Sequence, residues 1–224
     1  MKNISDNTIK INNSGVAFGQ TGFRVGTAFA YHINGNRYII SAEHIFKNNP
    51  HNSLVNFEYF YSTTDGIGNA TGTIYKHPTI MTDIVVIVTN DMEMLTGVTN
   101  TCVQKHPTPL SEYHFAGFPY ALFDNTTNRI APFFKKAFMC GTRTVKGYTT
   151  FFLDGETNSG FSGGPVVSLN GDELLGVISA DQGNNIGTID DPKGTGFKLN
   201  ITENAGLIRV ASFVHAIEII QSIP

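Results

Sequence analysis

Two Asn-Gly dipeptides constrain the fold of this 224-residue chain more than any other feature. Asn34-Gly35 and Asn170-Gly171 each separate two short runs rich in aliphatic and aromatic residues. An Asn-Gly pair between such runs is a strong signal for a β-hairpin, because a type I′ turn needs positive φ at both central residues. We therefore expect one hairpin in each half of the chain, and the shared layout suggests two similar β units.

Further short β-type runs, separated by clusters of Gly, Asn and Pro, follow the first hairpin and precede the second. Hydrophobic residues form 41% of the chain and charged residues 15%, which is too apolar for intrinsic disorder. The 23 glycines and 9 prolines disfavour a helical bundle. Helical spacing occurs only at the end, from Ser212 as a plausible N-cap through Ile217 and Ile220. We predict an all-β fold closed by a C-terminal amphipathic helix.

Residues 91–109 have few patterned apolar positions and mark the link between the two halves. We predict a leader or first strand over residues 1–22, a β domain over 23–107, and a second β domain with the helix over 108–224.

The net charge of -3, with no basic cluster longer than Lys135-Lys136, disfavours a nucleic-acid partner. The N-terminus lacks a secretory signal and no apolar run spans a bilayer, so we expect a cytoplasmic protein with no membrane partner. Cys102 and Cys140 are interpreted as free thiols.

The segment most informative about function is Asn-Ser-Gly-Phe-Ser-Gly-Gly-Pro at residues 158–165. Glycines on both sides of Ser162 allow a tight turn close to a substrate carbonyl. The amides of Gly160 and Ser162 are then free to face a developing oxyanion, which is the geometry of acyl transfer. The alternative is a glycine-rich β turn with an incidental serine.

A serine nucleophile needs a base and a group that orients the base. His44 follows the apolar run at residues 38–40, and a strand end is a rigid mount for an imidazole. Asp83 leads into the most apolar run of the chain, where an acid is costly to bury without donors. Taken singly, His44 fits a structural histidine and Asp83 fits a strand cap.

In the order His, Asp, Ser, these segments together resemble the trypsin/chymotrypsin superfamily of serine proteases. Ser-Ala-Glu-His at 41–44 is similar to the family's Ser/Thr-Ala-Ala-His, and Asp-Ile-Val-Val at 83–86 to its Asp-Ile-Ala-Leu. Residues 160–165 are similar to Gly-Asp-Ser-Gly-Gly-Pro. The compact spacing resembles the bacterial HtrA-like and glutamyl-endopeptidase-like branches, and a bacterial, viral or phage origin is compatible with it.

The resemblance implies two antiparallel six-stranded β-barrels with a His44, Asp83 and Ser162 triad between them. It implies an endopeptidase acting on protein or peptide substrates without metal or organic cofactor. It also implies an oxyanion hole at the Gly160 and Ser162 amides, and a hydroxyl of Ser179 that supports the triad. The substrate pocket falls near Glu156, Thr157, Ser179, Ala180, Asp181 and Gly206.

Two acids near that pocket, Glu156 and Asp181, favour Lys or Arg beside the scissile bond. Alternatively, both acids face water. Ile178 stands where glutamate-specific relatives carry a pocket histidine, which disfavours acidic substrates.

The chain departs from the family pattern at Phe161 and Glu43. Zymogens of the family carry Asp at the position of Phe161, where it pairs with a newly released N-terminus. We therefore predict a site independent of N-terminal cleavage, although an activating or regulatory protein partner could still order it. Glu43 replaces a small residue beside the histidine and is expected to face solvent.

Two other functions are compatible with parts of this pattern. A latent or inactive protease-like fold could serve as a protein-binding module. The presence of the whole His44, Asp83 and Ser162 set argues against that. An esterase of the α/β-hydrolase type is disfavoured, because Ser162 is not in a Gly-x-Ser-x-Gly elbow and the order of the triad differs.

Overall fold

A computed structural model describes residues 8–13, 24–61, 67–79, 82–90, 102–119, 132–190 and 198–224. The first six strands form a closed barrel in the order β1-β2-β3-β6-β5-β4. Their bounds are β1 Thr8–Asn13, β2 Arg24–Ile33, β3 Asn36–Ser41, β4 Ser53–Tyr61, β5 Ile67–Lys76 and β6 Val85–Val88. The Asn-Gly hairpin joins β2 to β3 as the sequence predicts, with φ of 52° at Asn34 and 81° at Gly35.

The remaining strands form a second sheet in the order β11-β8-β9-β10-β13-β12-β7. A further pairing of β11 with β12 closes six of these strands into a second antiparallel barrel, and β7 lies parallel to β12 outside that ring. The bounds are β7 Cys102–Val103, β8 Glu112–Gly117, β9 Phe133–Val145, β10 Tyr148–Asp154, β11 Pro165–Ser168, β12 Glu173–Asp190 and β13 Lys198–Ser212. The predicted double barrel is therefore confirmed.

The domain limits at residues 22 and 107 stay predictions. The first barrel nevertheless takes β1 from the segment before residue 22, because β1 pairs with both β2 and β4. Pairing with the second sheet already begins at β7, before residue 107.

The C-terminal helix α1 spans Val214–Gln221. The predicted N-cap at Ser212 is wrong, because Ser212 is the last residue of β13 and the cap position is Phe213. Phe213 is fully buried, so packing rather than a capping side chain fixes where the helix starts. Among the described residues, no helix combines the length and the apolar composition that crossing a bilayer requires.

In the described part of the chain, three clusters of buried side chains make up the core. One fills the first barrel and one fills the second. The third lies between them and joins Phe29 and Ile40 of the first barrel to Val177 of the second and Ile219 of α1. This shared cluster fixes the two barrels against each other, so residues carried by different barrels can form one site.

Candidate active site

Strand pairing brings His44 and Asp83 to the same end of the first barrel. Ser41, the last residue of β3, pairs with Val85, the first residue of the antiparallel strand β6. His44 follows Ser41 closely and Asp83 closely precedes Val85, so the two side chains meet at this end. His44 lies in a short 3-10 turn, Glu43–Phe46, which the buried side chain of Ile45 holds against the core.

The carboxylate of Asp83 accepts hydrogen bonds from two residues. The backbone N–H of His44 donates to Oδ1 at 2.9 Å, and the imidazole Nδ1 lies 2.9 Å from Oδ2. The hydroxyl of Ser179 donates to Oδ2 at 2.5 Å. An ionised carboxylate only accepts, so Nδ1 carries the proton and the Nε2 of the neutral ring is an acceptor. This is the tautomer that a general base needs.

Ser162 lies in the loop of residues 158–164 between β10 and β11, called here the nucleophile loop. Two of its glycines have left-handed backbone, with φ of 106° at Gly160 and 89° at Gly163. A Cβ on Gly160 would overlap the carbonyl oxygen of Phe118, and one on Gly163 the carbonyl oxygen of Thr27. Conformation and close approach therefore both require glycine at these positions.

The nucleophile loop is paired with β12. The amide of Gly163 donates to the carbonyl of Ile178 at 2.8 Å, and the amide of Ile178 donates to the carbonyl of Gly164 at 2.9 Å. The hydroxyl of Ser162 donates to the carbonyl of Ser179 at 3.4 Å. Ser179 thus contacts Asp83 through its side chain and Ser162 through its main chain.

Residues 160–162 of this loop differ in their partners. Within the described parts of the chain, the amides of Gly160 and Ser162 donate no backbone hydrogen bond. Phe161 is 1% exposed, and its ring packs edge-to-face on Phe115 with centroids 5.3 Å apart. The loop is therefore anchored through the Phe161 side chain, while these two amides have no backbone partner among the described residues.

The predicted pocket residues occupy neighbouring backbone segments. The amide of Gly155 donates to the carbonyl of Gly206 at 2.9 Å, which places the segment that follows Gly155 beside β13. Thr157 in this segment is 5% exposed, whereas Glu156 is exposed. Ala180 and Asp181 lie on β12 and pair with β13. Their side chains lie outside the described residues.

Glu43 forms an ion pair rather than facing solvent alone. Its Oε1 lies 2.5 Å from Nζ of Lys76, and the Glu43 side chain is 28% exposed. Lys76 also reaches the carbonyl of Phe46 at 3.5 Å. The pair ties the turn that carries His44 to the end of β5.

A second polar cluster, which no sequence pattern predicts, is formed by His77, His215 and Glu218. Nε2 of His77 lies 3.1 Å and Nδ1 of His215 lies 2.8 Å from Oε2 of Glu218. The other ring nitrogens accept backbone N–H groups, from Thr79 at 3.2 Å and from Thr149 at 3.0 Å. Each neutral ring therefore carries its proton on the nitrogen that faces Glu218, whereas a metal ligand needs that nitrogen unprotonated. The cluster fits a hydrogen-bonded carboxylate better than a metal centre.

Comparison with known proteins gives one family and one fold. The family model named Trypsin matches residues 17–192, which is more than half of the chain. A search of curated proteins finds no match. Among solved structures, the chain is similar to Rv3671c from M. tuberculosis H37Rv, crystallised as a serine-to-alanine mutant in an inactive form. The TM-score is 0.62 at 14% identity, over 100% of this chain and 91% of the other. The chain belongs to the trypsin family.

Proposed function

We propose that the chain is a serine endopeptidase in which Ser162 is the nucleophile, His44 the general base and Asp83 the group that orients the base. The observation that carries the proposal is the hydrogen-bonded set around Ser179. Asp83 accepts from His44 Nδ1 and from the Ser179 hydroxyl, while the Ser179 carbonyl accepts from Ser162. The turn that carries His44 and the residue Asp83 before β6, both from the first barrel, thus meet β12 and the nucleophile loop of the second, which supports the proposal.

In the proposed reaction the Ser162 hydroxyl gives up its hydrogen bond to the Ser179 carbonyl and donates instead to Nε2 of His44. His44 takes the proton as Oγ bonds to the carbonyl carbon of the scissile peptide. The oxygen of the tetrahedral intermediate accepts hydrogen bonds from the amides of Gly160 and Ser162. His44 then gives its proton to the leaving amine as the C–N bond breaks. Water, activated by the same histidine, hydrolyses the acyl-enzyme.

The proposed enzyme is active without cleavage at its N-terminus. In family members activated by cleavage, the residue before the nucleophile is an acid that pairs with the released N-terminus. The corresponding residue here is Phe161, which is 1% exposed within the core of the second barrel. Apolar packing supplies the anchor that an ion pair supplies elsewhere, so no new ammonium group is required.

Labelling with a fluorophosphonate probe tests the proposal. The intact purified chain is expected to be labelled, because an activated serine beside two free amides attacks the phosphorus centre. The variants Ser162→Ala and His44→Ala should each lose nearly all labelling, since the members of such a unit act together. Ser159→Ala, at an exposed position of the same loop, is the matched control and should label like the wild type.

A well-folded wild type that takes no label would contradict constitutive activity. Labelling that appears only after N-terminal trimming would contradict the role given to Phe161. Labelling that persists in Ser162→Ala would assign the nucleophile elsewhere.

A further inference from the structure

Thr27 of β2 contacts the nucleophile loop across the boundary between the barrels. Its hydroxyl donates to the carbonyl of Gly160 at 2.6 Å, and its amide donates to the carbonyl of Ser162 at 2.8 Å. The Thr27 side chain is fully buried. A residue of the first barrel therefore holds two carbonyls of the loop that carries the nucleophile in the second.

The Thr27 hydroxyl both donates a hydrogen bond and accepts one. The amide of Phe118, which follows β8, donates to Oγ1 at 3.1 Å. Since an amide can only donate, this bond takes an acceptor site of the oxygen and leaves the O–H proton directed at Gly160. The Thr27 carbonyl accepts from the Ser41 hydroxyl at 2.8 Å, which fixes the backbone of Thr27 in turn.

We propose that Thr27 is a positioning residue that sets the oxyanion-binding conformation of the nucleophile loop. Gly160 has no side chain and a left-handed φ of 106°, so its own covalent structure does little to restrict rotation of the following peptide plane. The Thr27 hydroxyl restrains that plane by holding its carbonyl oxygen. Thr27 binds the carbonyls of Gly160 and Ser162 and not their amides, so it restrains the backbone of both residues without occupying the N–H groups proposed to bind the oxyanion.

This inference rests on the proposed function, and it assigns the loop geometry to a hydroxyl in the other barrel. Valine keeps the backbone bonds and nearly the volume of Thr27 and removes only the hydroxyl. If that hydroxyl, which also accepts from the Phe118 amide, served stability alone, its loss would lower the folded fraction and leave kcat of the folded protein unchanged. Thr27→Val is therefore the informative variant, and Thr27→Ser, which restores the hydroxyl on a smaller side chain, is its rescue.

The experiment measures steady-state kinetics on a peptide ester with the three proteins at equal folded fraction. Thr27→Val is expected to lower kcat by about 10- to 100-fold with KM changed less than about threefold, because a displaced oxyanion donor weakens transition-state binding more than substrate binding. Thr27→Ser should restore kcat to within about threefold of the wild type. Thr150→Val is the matched control, since Thr150 is 9% exposed on β10. If Thr27→Val does not fold, Thr27→Ala replaces it.

An unchanged kcat in Thr27→Val, or a loss that Thr27→Ser does not rescue, would overturn the inference. Hydrogen exchange over residues 158–164 gives an answer even if the wild type has no turnover. Faster exchange at the amides of Gly163 and Gly164 in Thr27→Val, but not in Thr150→Val, would support the positioning role although the proposed function had failed. Unchanged exchange in that case would overturn both.

Discussion

Ser179 serves the site through two different groups. Its hydroxyl donates to Oδ2 of Asp83, and its carbonyl accepts from the hydroxyl of Ser162. The carbonyl contact depends only on the path of β12, so any residue at this position would supply it. The hydroxyl contact depends on the side chain, and it is a hydrogen bond to an ionised group, which is stronger than a neutral one. The two contributions can therefore be separated by one substitution.

Ser179→Ala removes only the contact with Asp83. We expect the free energy of unfolding at neutral pH to fall by about 1.5 kcal/mol, at the low end for a bond to a charged group, because water can partly replace the hydroxyl. Asp83 is 20% exposed, which admits that water. Urea denaturation measures the change. Ser53→Ala removes an exposed hydroxyl bonded to the carbonyl of Pro50 and should change the same quantity by less than about 0.5 kcal/mol. Equal losses of unfolding free energy in both variants would show that the bond to Asp83 contributes no more than an exposed hydroxyl bond.

The three proposed catalytic residues were accessible from the sequence, whereas Thr27 was not. His44, Asp83 and Ser162 each lie in a short local pattern whose chemistry can be named. The bonds of Thr27 join residues far apart in the chain, since Gly160 lies 133 positions after Thr27. No local pattern assigns such a contact to a strand threonine, because the contact depends on how the two barrels pack.

Among the strands and turns, too, some are determined by the local sequence and others by pairing with distant residues. The first hairpin turn was predictable because Asn34 and Gly35 alone permit the backbone that it needs. The continuation of β12 through Asp190 and of β13 from Lys198 was not, because these residues are mostly polar and alternation is confined to the surroundings of Leu199 and Ile201. The two continuations pair with each other down to Asp190 and Lys198, and such backbone pairing has no local signature in the sequence.

The nucleophile loop depends on one apolar anchor, and this gives a prediction at the scale of the element. Phe161→Ala should lower the free energy of unfolding by about 3–5 kcal/mol, as expected for a buried Phe that leaves a cavity. Phe161→Leu should cost less than about 1.5 kcal/mol. Phe133→Ala, at a position 48% exposed on β9, is the control and should have little effect. Thermal or urea unfolding separates these values. A small loss in Phe161→Ala would mean that the hydrogen bonds alone hold the loop.

At the scale of the whole molecule, helix α1 connects the two barrels. His215 of α1 accepts the amide of Thr149 in the second barrel, while Glu218 of α1 is bonded to His77 beside the first. His77 lies in the connection that leads from β5 towards Asp83. The Tyr148 ring packs on His215 from the second barrel, with centroids 5.6 Å apart. The cluster thus fastens His77, which precedes Asp83 in the chain, to helix α1.

Protonation of Glu218 should loosen this connection. Partial burial acts to raise its pKa, but the hydrogen bonds and charges of His215 and His77 outweigh burial and hold the pKa below the ordinary value of 4.5. The unfolded chain then binds more protons than the folded chain between the two values. Ionised Glu218 therefore stabilises the fold above about pH 4.5, and that contribution is lost as the pH falls through the lower pKa of the folded state.

Glu218→Gln tests this linkage because glutamine keeps the shape of the side chain and does not titrate. Since the Glu218 side chain is 45% exposed, we expect the wild type to be more stable by only about 0.5–1 kcal/mol at neutral pH. The difference should shrink as the pH falls below about 4.5, because both proteins then carry a neutral side chain at this position. Urea midpoints at several pH values measure it, with the exposed Glu156→Gln as control. A difference that stays constant down to acid pH would show that the shape of Glu218, rather than its charge, joins the helix to the two barrels.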